Sequence, residues 1–125
     1  MKVGIDLVLA EEVRESIRTY GDRYVTRVYT ETEQEDCGDD PRLLASCFAA
    51  KEAAMKALGR GDDPLPWTSI GVRRDADGRP SLELTGEAAA LARRRGVEAL
   101  HLSTTLHLST TQHRAAAAAI VVTAP

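Results

Sequence analysis

One short helical segment of the chain carries a carboxylate and two lysines. The segment is Phe48–Gly59, and it contains Lys51, Glu52 and Lys56. Residues four apart lie on one line of a helix surface, so Glu52 and Lys56 meet, while Lys51 lies about 100° round the helix from Glu52. Such a pair is most often a surface ion pair that stabilises its helix by a few tenths of a kcal/mol. A second carboxylate nearby would favour a functional site instead.

A second carboxylate, Asp6, lies near the start of the chain. Val3–Val8 is an apolar run of β type, and Asp6 is the charged residue within it. An unpaired carboxylate is unfavourable in a protein interior, so an aspartate in such a strand usually has a cation as its partner. We therefore consider that Asp6 and Glu52 meet at one site.

A long helix has to position Glu52 and Lys56. Asp40 and Pro41 form a typical helix start and Gly59 a typical helix end, so we predict a helix over residues 41–58. Apolar residues recur at helical spacing along it and indicate a largely buried helix. These residues are Leu44, Phe48, Met55 and Leu58.

Further helical and β-type patterns surround this helix. The remaining predicted elements are helices over residues 10–20, 22–30 and 86–96, and strands over residues 68–74, 79–84, 100–111 and 115–122. Trp67 is expected to begin the first of these strands. The acidic stretch 31–40 is interpreted as a solvated loop or short helix without a functional role. The predicted fold is α+β, a single domain over residues 1–125 with the long central helix packed on a small antiparallel sheet.

A six-residue sequence, LHLSTT, occurs twice in succession. The copies are Leu100–Thr105 and Leu106–Thr111. Because six is an even number, a continuous strand keeps the leucines of both copies on one face. We favour a duplication without function over a metal site formed by His101 and His107.

Composition excludes several classes of protein. The chain has 125 residues, a net charge of −3 and 43% hydrophobic residues. The acidic balance argues against nucleic-acid binding, and no apolar stretch resembles a membrane span or a signal peptide, so we expect a cytoplasmic protein. Cys37, expected in a polar loop, and Cys47 lack metal-ligand spacing, and we predict reduced thiols.

These residues resemble a known family, the holo-[acyl-carrier-protein] synthases, which are the small 4′-phosphopantetheinyl transferases. The hallmarks of the family are Gly-Ile/Val-Asp near the start and Phe/Trp-x-x-Lys-Glu-x-x-x-Lys-Ala on a long helix. Gly4–Asp6 and Phe48–Ala57 match both in order and spacing. The resemblance continues through Thr30–Glu33, Trp67, Asp77–Pro80 and a His-x-Ser segment near the end.

The resemblance implies transfer of 4′-phosphopantetheine from coenzyme A to a serine of an apo acyl carrier protein, with release of adenosine 3′,5′-bisphosphate. Asp6 and Glu52 would hold Mg²⁺, because this ion prefers hard oxygen ligands. Lys56 would neutralise phosphate charge, and Glu52 can also act as a base. The three form the expected catalytic set. The residues expected to contact coenzyme A are Lys51, Lys56, Arg79, His107 and Ser109, although turn geometry also accounts for the sequence around Arg79.

The resemblance also implies partners. Arg14 and Arg18 share a helix face, which either is a solvated face paired with Glu11 and Glu15 or docks the acidic helix of the carrier protein. The family forms trimers with sites between subunits, so we expect a cyclic homotrimer. The pathway served, fatty-acid or polyketide and other secondary-metabolite synthesis, stays open.

Two departures from the family pattern keep other interpretations open. Cys47 stands where the family commonly has arginine. The family also has a second histidine after its His-x-Ser segment. Gln112 takes its place if the second LHLSTT copy is the matching one, and Leu106 takes its place if the first copy is. One alternative is a catalytically weakened relative that binds carrier proteins. Another is a Mg²⁺-dependent phosphohydrolase acting on a nucleotide.

Overall fold

The structure is a computed structural model, and it describes residues 1–109 and 114–125. It has the predicted α+β fold. In chain order the elements are β1 (Val3–Leu9), α1 (Ala10–Tyr20), α2 (Asp22–Val28), α3 (Glu31–Cys37), α4 (Pro41–Ala57), a 3₁₀ turn (Trp67–Ser69), β2 (Ile70–Arg74), β3 (Pro80–Leu84), α5 (Gly86–Arg94), β4 (Ala99–Ser109) and β5 (Arg114–Ala124).

The strands form two antiparallel sheets. The larger has the order β1-β5-β4, and the smaller is the predicted β2–β3 hairpin. In the larger sheet Asp6 pairs with Ala119, which pairs in turn with Thr104. Since side chains alternate between faces, this row points to the face that α4 covers, and the rows on either side point away from α4.

Helix α4 lies across the larger sheet because its contact face is built from small residues. Its alanines include five that are fully buried, at 0% exposure: Ala45, Ala49, Ala50, Ala53 and Ala54. Opposite them, Gly4 of β1 comes so close to α4 that a side chain there would overlap the Ala53 carbonyl oxygen. The close approach brings the β1 backbone directly against the helix that carries Glu52 and Lys56.

The ends of α4 confirm the predicted boundaries. The Asp40 side chain accepts a hydrogen bond from the Arg42 backbone N–H, and Pro41 occupies the first turn. Gly59 then adopts a φ of 79°, which favours glycine. The guanidinium of Arg95, from the end of α5, donates to the Leu58 carbonyl oxygen and satisfies a carbonyl at this helix terminus.

Three details differ from the predictions. Trp67 begins a 3₁₀ turn, and the strand starts only at Ile70. The acidic stretch contains helix α3, whose Glu33 is fully buried at 0% exposure, so the stretch is not simply a solvated surface. Cys37 lies at the end of α3 and is buried in the core, not in a polar loop as expected. Its Sγ packs 3.5 Å from the Sγ of Cys47. Both cysteines are free thiols, as predicted.

The LHLSTT repeat forms one continuous strand as far as the structure describes it. Strand β4 covers the first copy and the second copy up to Ser109. Thr110 and Thr111 lie outside the described residues, as do Gln112 and His113. In the part of the chain that the structure covers, no helix is long and apolar enough to cross a membrane.

Candidate active site

The crossing of β1 and α4 brings Asp6, Glu52 and Lys56 together. The Lys56 ammonium donates to Asp6 Oδ1 at 2.8 Å and to the Ile5 carbonyl oxygen at 3.1 Å. The Asp6 side chain is only 11% exposed, whereas that of Lys56 is 46% exposed. Lys56 therefore covers the buried carboxylate and presents its ammonium to solvent.

Glu52 lies half-buried next to Asp6. Burial and the nearby negative charge of Asp6 raise the pKa of Glu52 to about 7. Lys56 opposes this shift, and its own pKa is raised by its hydrogen bond to Asp6. Two carboxylates in contact cannot both ionise easily, so at neutral pH the Glu52 carboxyl group is only partly ionised.

The second carboxylate oxygen of Asp6, Oδ2, differs from Oδ1 in its surroundings. Oδ2 is buried and has no hydrogen-bond partner within residues 1–109 and 114–125. A buried acceptor of this kind is unfavourable unless another group binds it. Across the same described ranges no cluster of three or more potential metal ligands occurs. Asp6 and Glu52 are thus the groups at this site suited to a hard cation, which would need further oxygen ligands from water or substrate.

A small cavity adjoins the cluster. Its volume is about 160 Å³, and its lining residues are Glu52, Met55, Lys56, Gly61, Pro64 and Trp67. A charged pair therefore forms one wall and an indole ring another. This arrangement suits a ligand that combines a phosphate group with an apolar portion.

A larger groove lies on the other side of Trp67. It has a volume of about 530 Å³ and is lined by Tyr20, Arg23, Tyr24, Arg27, Val28, Phe48 and Trp67. The rings of Phe48 and Trp67 are stacked, with centroids 4.9 Å apart. The sequence predicted only a helix over residues 22–30 and gave no functional role to Arg23 and Arg27, which line this groove. Their spacing of four, together with Tyr24, was the available signal.

Arg14 and Arg18 lie on the exposed face of α1. Their guanidinium groups pair with Glu11 at 3.4 Å and with Glu15 at 2.7 Å. The two ion pairs expected for a solvated helix face are therefore present in this chain. Because both arginine side chains are more than half exposed, at 57% and 63%, they stay accessible to a partner.

Lys51 is where the structure departs most from the expected site. Its side chain is fully buried, and its ammonium pairs with Glu33 Oε1 at 2.7 Å. It is therefore turned to the interior and not to the cavity at Glu52, so the expected contact between Lys51 and a coenzyme phosphate does not fit this position. The sequence analysis missed Glu33, because nothing local in the acidic stretch marks it as the partner of Lys51.

The other expected coenzyme contacts are not gathered at this cluster within one chain. Arg79 lies in the exposed β2–β3 turn, where its backbone N–H donates to the Asp75 carboxylate. His107 is exposed and three positions beyond Thr104 on β4, so it faces away from the side of the sheet that carries Asp6. Ser109 ends β4.

Comparison with known proteins identifies the class. The model of the 4′-phosphopantetheinyl transferase superfamily matches residues 2–119. A solved structure, Helicobacter pylori holo-[acyl-carrier-protein] synthase in complex with coenzyme A, superimposes with a TM-score of 0.82 and 24% identity, covering 98% of this chain and 99% of that one. At this identity the superposition shows the fold, and the family match places the chain in the superfamily.

Two curated relatives narrow the assignment. The holo-[acyl-carrier-protein] synthase of Chloroflexus aurantiacus is 45% identical over 116 residues, in a match that covers 80% of this chain and 85% of the relative. That of Thiobacillus denitrificans is 41% identical over 105 residues, covering 81% and 80%. The chain therefore belongs to the holo-[acyl-carrier-protein] synthases, a family of 4′-phosphopantetheinyl transferases.

Proposed function

We propose that this enzyme transfers 4′-phosphopantetheine from coenzyme A to a serine hydroxyl of an apo acyl carrier protein. The observation that supports it most is the buried Oδ2 of Asp6, beside Glu52 and Lys56, which has no hydrogen-bond partner among the described residues. The cluster borders a cavity and, across Trp67, a groove large enough to admit part of a second substrate. The H. pylori relative binds coenzyme A in its solved structure.

The residues at the site fit Mg²⁺. Asp6 and Glu52 would hold the ion, with the coenzyme's pyrophosphate and water as further ligands, a set that this ion commonly takes. When bound, Mg²⁺ neutralises charge on the phosphate oxygens and stabilises the charge that develops in phosphoryl transfer. A bound cation would satisfy the Asp6 carboxylate and relieve the repulsion between the two carboxylates.

Each side chain has a role in the reaction. The Lys56 ammonium, partly exposed and held by Asp6, donates to a phosphate oxygen and orients the pyrophosphate. Glu52 accepts the serine proton as the hydroxyl oxygen attacks the phosphorus next to the pantetheine arm. The bond from that phosphorus to the bridging oxygen breaks, and adenosine 3′,5′-bisphosphate leaves.

In the metal-free chain the pKa of Glu52 is about 7, close to the working pH of a base. Burial and the neighbouring Asp6 raise this pKa. A cation held by both carboxylates would favour the ionised form of Glu52, which is the form that accepts the serine proton.

The carrier protein docks on the basic side of α1 and α2. Arg14 and Arg18 would steer an acidic partner, and their present ion pairs with Glu11 and Glu15 are exposed and exchange easily. Arg23 and Arg27 line the groove next to Trp67, between that helix face and Glu52. A soluble carrier protein and coenzyme A would meet the enzyme in the cytoplasm.

We also infer that the enzyme works as a cyclic homotrimer. The face of the larger sheet opposite α4 carries apolar side chains that are 39% to 65% exposed. They are Val3, Ile5, Leu7 and Ile120. Ile5 pairs with Ile120 in the sheet, so the patch is continuous, and a second copy of the chain would cover it. His107 lies on this same face and would reach a neighbour's site.

The test is a mass measurement on a panel of carrier proteins. Apo forms of fatty-acid and polyketide type are incubated with the enzyme, Mg²⁺ and coenzyme A. We expect one phosphopantetheine adduct on a serine of at least one of them, and the modified type indicates the pathway. Coenzyme A cleaved without any adduct would instead support a phosphohydrolase, and tight binding without turnover would support a carrier-binding module.

A further inference from the structure

Lys51 and Glu33 form an ion pair in the interior of the fold. Both side chains are fully buried, at 0% exposure. Besides its 2.7 Å contact with Glu33, the Lys51 ammonium donates to the backbone carbonyl oxygens of Trp67 at 3.1 Å and Ile70 at 2.5 Å. An ammonium has three protons, so these three contacts use all of them.

Glu33 connects the pair to two further elements. Its Oε1 accepts from the Thr30 backbone N–H, which completes the capping box of α3, and its Oε2 accepts from the Val72 backbone N–H of β2. The ion pair therefore joins α3, α4, β2 and the Trp67 turn at one point. A buried ion pair is often no more stabilising than apolar residues of the same volume, so its main consequence here is geometric.

Among the residues that this ion pair connects, Trp67 is the one that lines the cavity at Glu52. Its ring borders both the cavity at Glu52 and Lys56 and the groove at Arg23 and Arg27. Phe48 stacks on the ring, and Lys51, three residues further along α4, holds the backbone carbonyl of the same residue. Residues three apart lie on one side of a helix, so α4 fixes Trp67 at two points.

We propose that Lys51, with Glu33 as its buried counter-charge, positions Trp67. It holds the indole as a wall between the cavity and the groove, so that two substrates approach Glu52 from fixed, separate sides. The consequence for catalysis depends on the function proposed above, whereas the position of the indole does not. Lys51 is accordingly a positioning residue that touches neither substrate, and Glu33 balances its charge.

Fluorescence tests this directly, because Trp67 is the single tryptophan of the chain. Lys51→Met removes the donor to the Trp67 carbonyl but keeps the apolar length of the side chain. We expect the emission of Trp67 to shift to longer wavelength and its quenching by acrylamide to increase, well below the unfolding temperature. The Michaelis constant for coenzyme A should rise, and kcat/KM should fall by on the order of tenfold or more.

Glu33→Gln is the matched control. It also leaves a buried charge without its counter-charge, so it destabilises the fold to a similar degree, but both bonds from Lys51 to the backbone carbonyls remain. The emission of Trp67, its quenching by acrylamide and the Michaelis constant for coenzyme A should then stay close to the wild-type values. Arg73→Met breaks the exposed Arg73–Glu83 pair on the neighbouring hairpin and should change none of them.

The double variant Lys51→Met/Glu33→Gln removes both buried charges and replaces Lys51→Met if that variant does not fold. It should show the same shift in Trp67 emission. In the wild type, coenzyme A should change this emission, since the ring borders the cavity. Wild-type emission in the folded lysine variants, or equal shifts in Lys51→Met and Glu33→Gln, would overturn the proposal. No response of the wild type to coenzyme A would count against the proposed function instead. A wild type without transfer activity would refute the proposed function, and the fluorescence results would still decide the positioning role.

Discussion

At the residue scale, the site depends on two carboxylates placed too close together to ionise independently. Asp6 is nearly buried, and among the described residues one of its oxygens has no partner. Burial and the negative charge of Asp6 raise the pKa of Glu52 to about 7. An acid whose pKa is higher in the folded than in the unfolded state stabilises the fold only while it is protonated. The pair is thus a built-in site of instability that a bound cation would remove.

The first prediction concerns this pair in the absence of metal. The contribution of Glu52 to stability is present below its ordinary pKa of 4.5 and is lost as the pH rises to about 7, so Tm should fall across this window. Mg²⁺ should raise Tm at pH 8 and have little effect at pH 5. Differential scanning calorimetry measures both effects.

Glu52→Gln is the control for this prediction, because glutamine keeps the shape of the side chain and cannot ionise. The variant should lose most of the fall in Tm between pH 5 and pH 8 and most of the response to Mg²⁺. An unchanged response to Mg²⁺ in Glu52→Gln would remove this residue from the metal site.

The sequence was informative about these residues for a simple reason. The spacing of Glu52 and Lys56 on a helix fixes their relative position, and a lone aspartate in an apolar strand calls for a partner. Lys51 was misplaced because its partner, Glu33, comes from another helix, and a single sequence carries no local sign of such a pairing. Helical geometry places Lys51 about 100° round the helix from Glu52, but it does not show whether Lys51 faces solvent or the core.

At the element scale, the site depends on how closely β1 approaches α4. The alanines of α4 and Gly4 of β1 remove side-chain volume from this contact, and the Lys56 ammonium then reaches both Asp6 and the Ile5 carbonyl. The apolar run Val3–Val8 predicted β1, and the end signals at Asp40, Pro41 and Gly59 predicted the bounds of α4 to within a residue. The depth of the approach at Gly4 follows only from packing, so the sequence did not reveal it.

The second prediction follows from this contact. Gly4→Ala places a methyl group against the Ala53 carbonyl and should destabilise the protein by about 1–3 kcal/mol through overpacking. Urea unfolding measures the loss. Gly61→Ala is the comparison, because its added carbon would meet only Lys56 Cγ at an ordinary 3.5 Å. If the two variants are equally stable, the close packing of β1 on α4 is not what holds the site together.

At the scale of the whole molecule, the sheet has one covered and one uncovered face. Side chains alternate between the two faces of a strand, and in β1 the face opposite α4 carries exposed Val3, Ile5 and Leu7. The assembly was predicted from the family resemblance, and no property of an isolated chain determines the number of subunits. A trimer would bring His107 of one subunit toward a neighbour, which would explain why a single chain does not gather it at Asp6.

The third prediction tests this assembly by sedimentation. The wild type should sediment as a trimer, and Leu7→Lys, which places a charge on a side chain that is 65% exposed in one chain, should shift it to monomer. Tyr20→Lys changes a side chain that is 60% exposed on another surface and should remain trimeric. A wild type that is monomeric at all concentrations, with full specific activity, would contradict the shared site.

The measurement that tests the central claim most directly compares two aspartate variants in the carrier-protein transfer assay. Asp6→Asn removes the charge next to Glu52 and Lys56, whereas Asp63→Asn removes an exposed charge paired with Arg60. We predict that Asp6→Asn keeps the fold and loses at least about a hundredfold in kcat at saturating Mg²⁺, because the charge that positions the phosphates is gone. Asp63→Asn should transfer phosphopantetheine at the wild-type rate. Equal rates for Asp6→Asn and the wild type would contradict the assignment of this site.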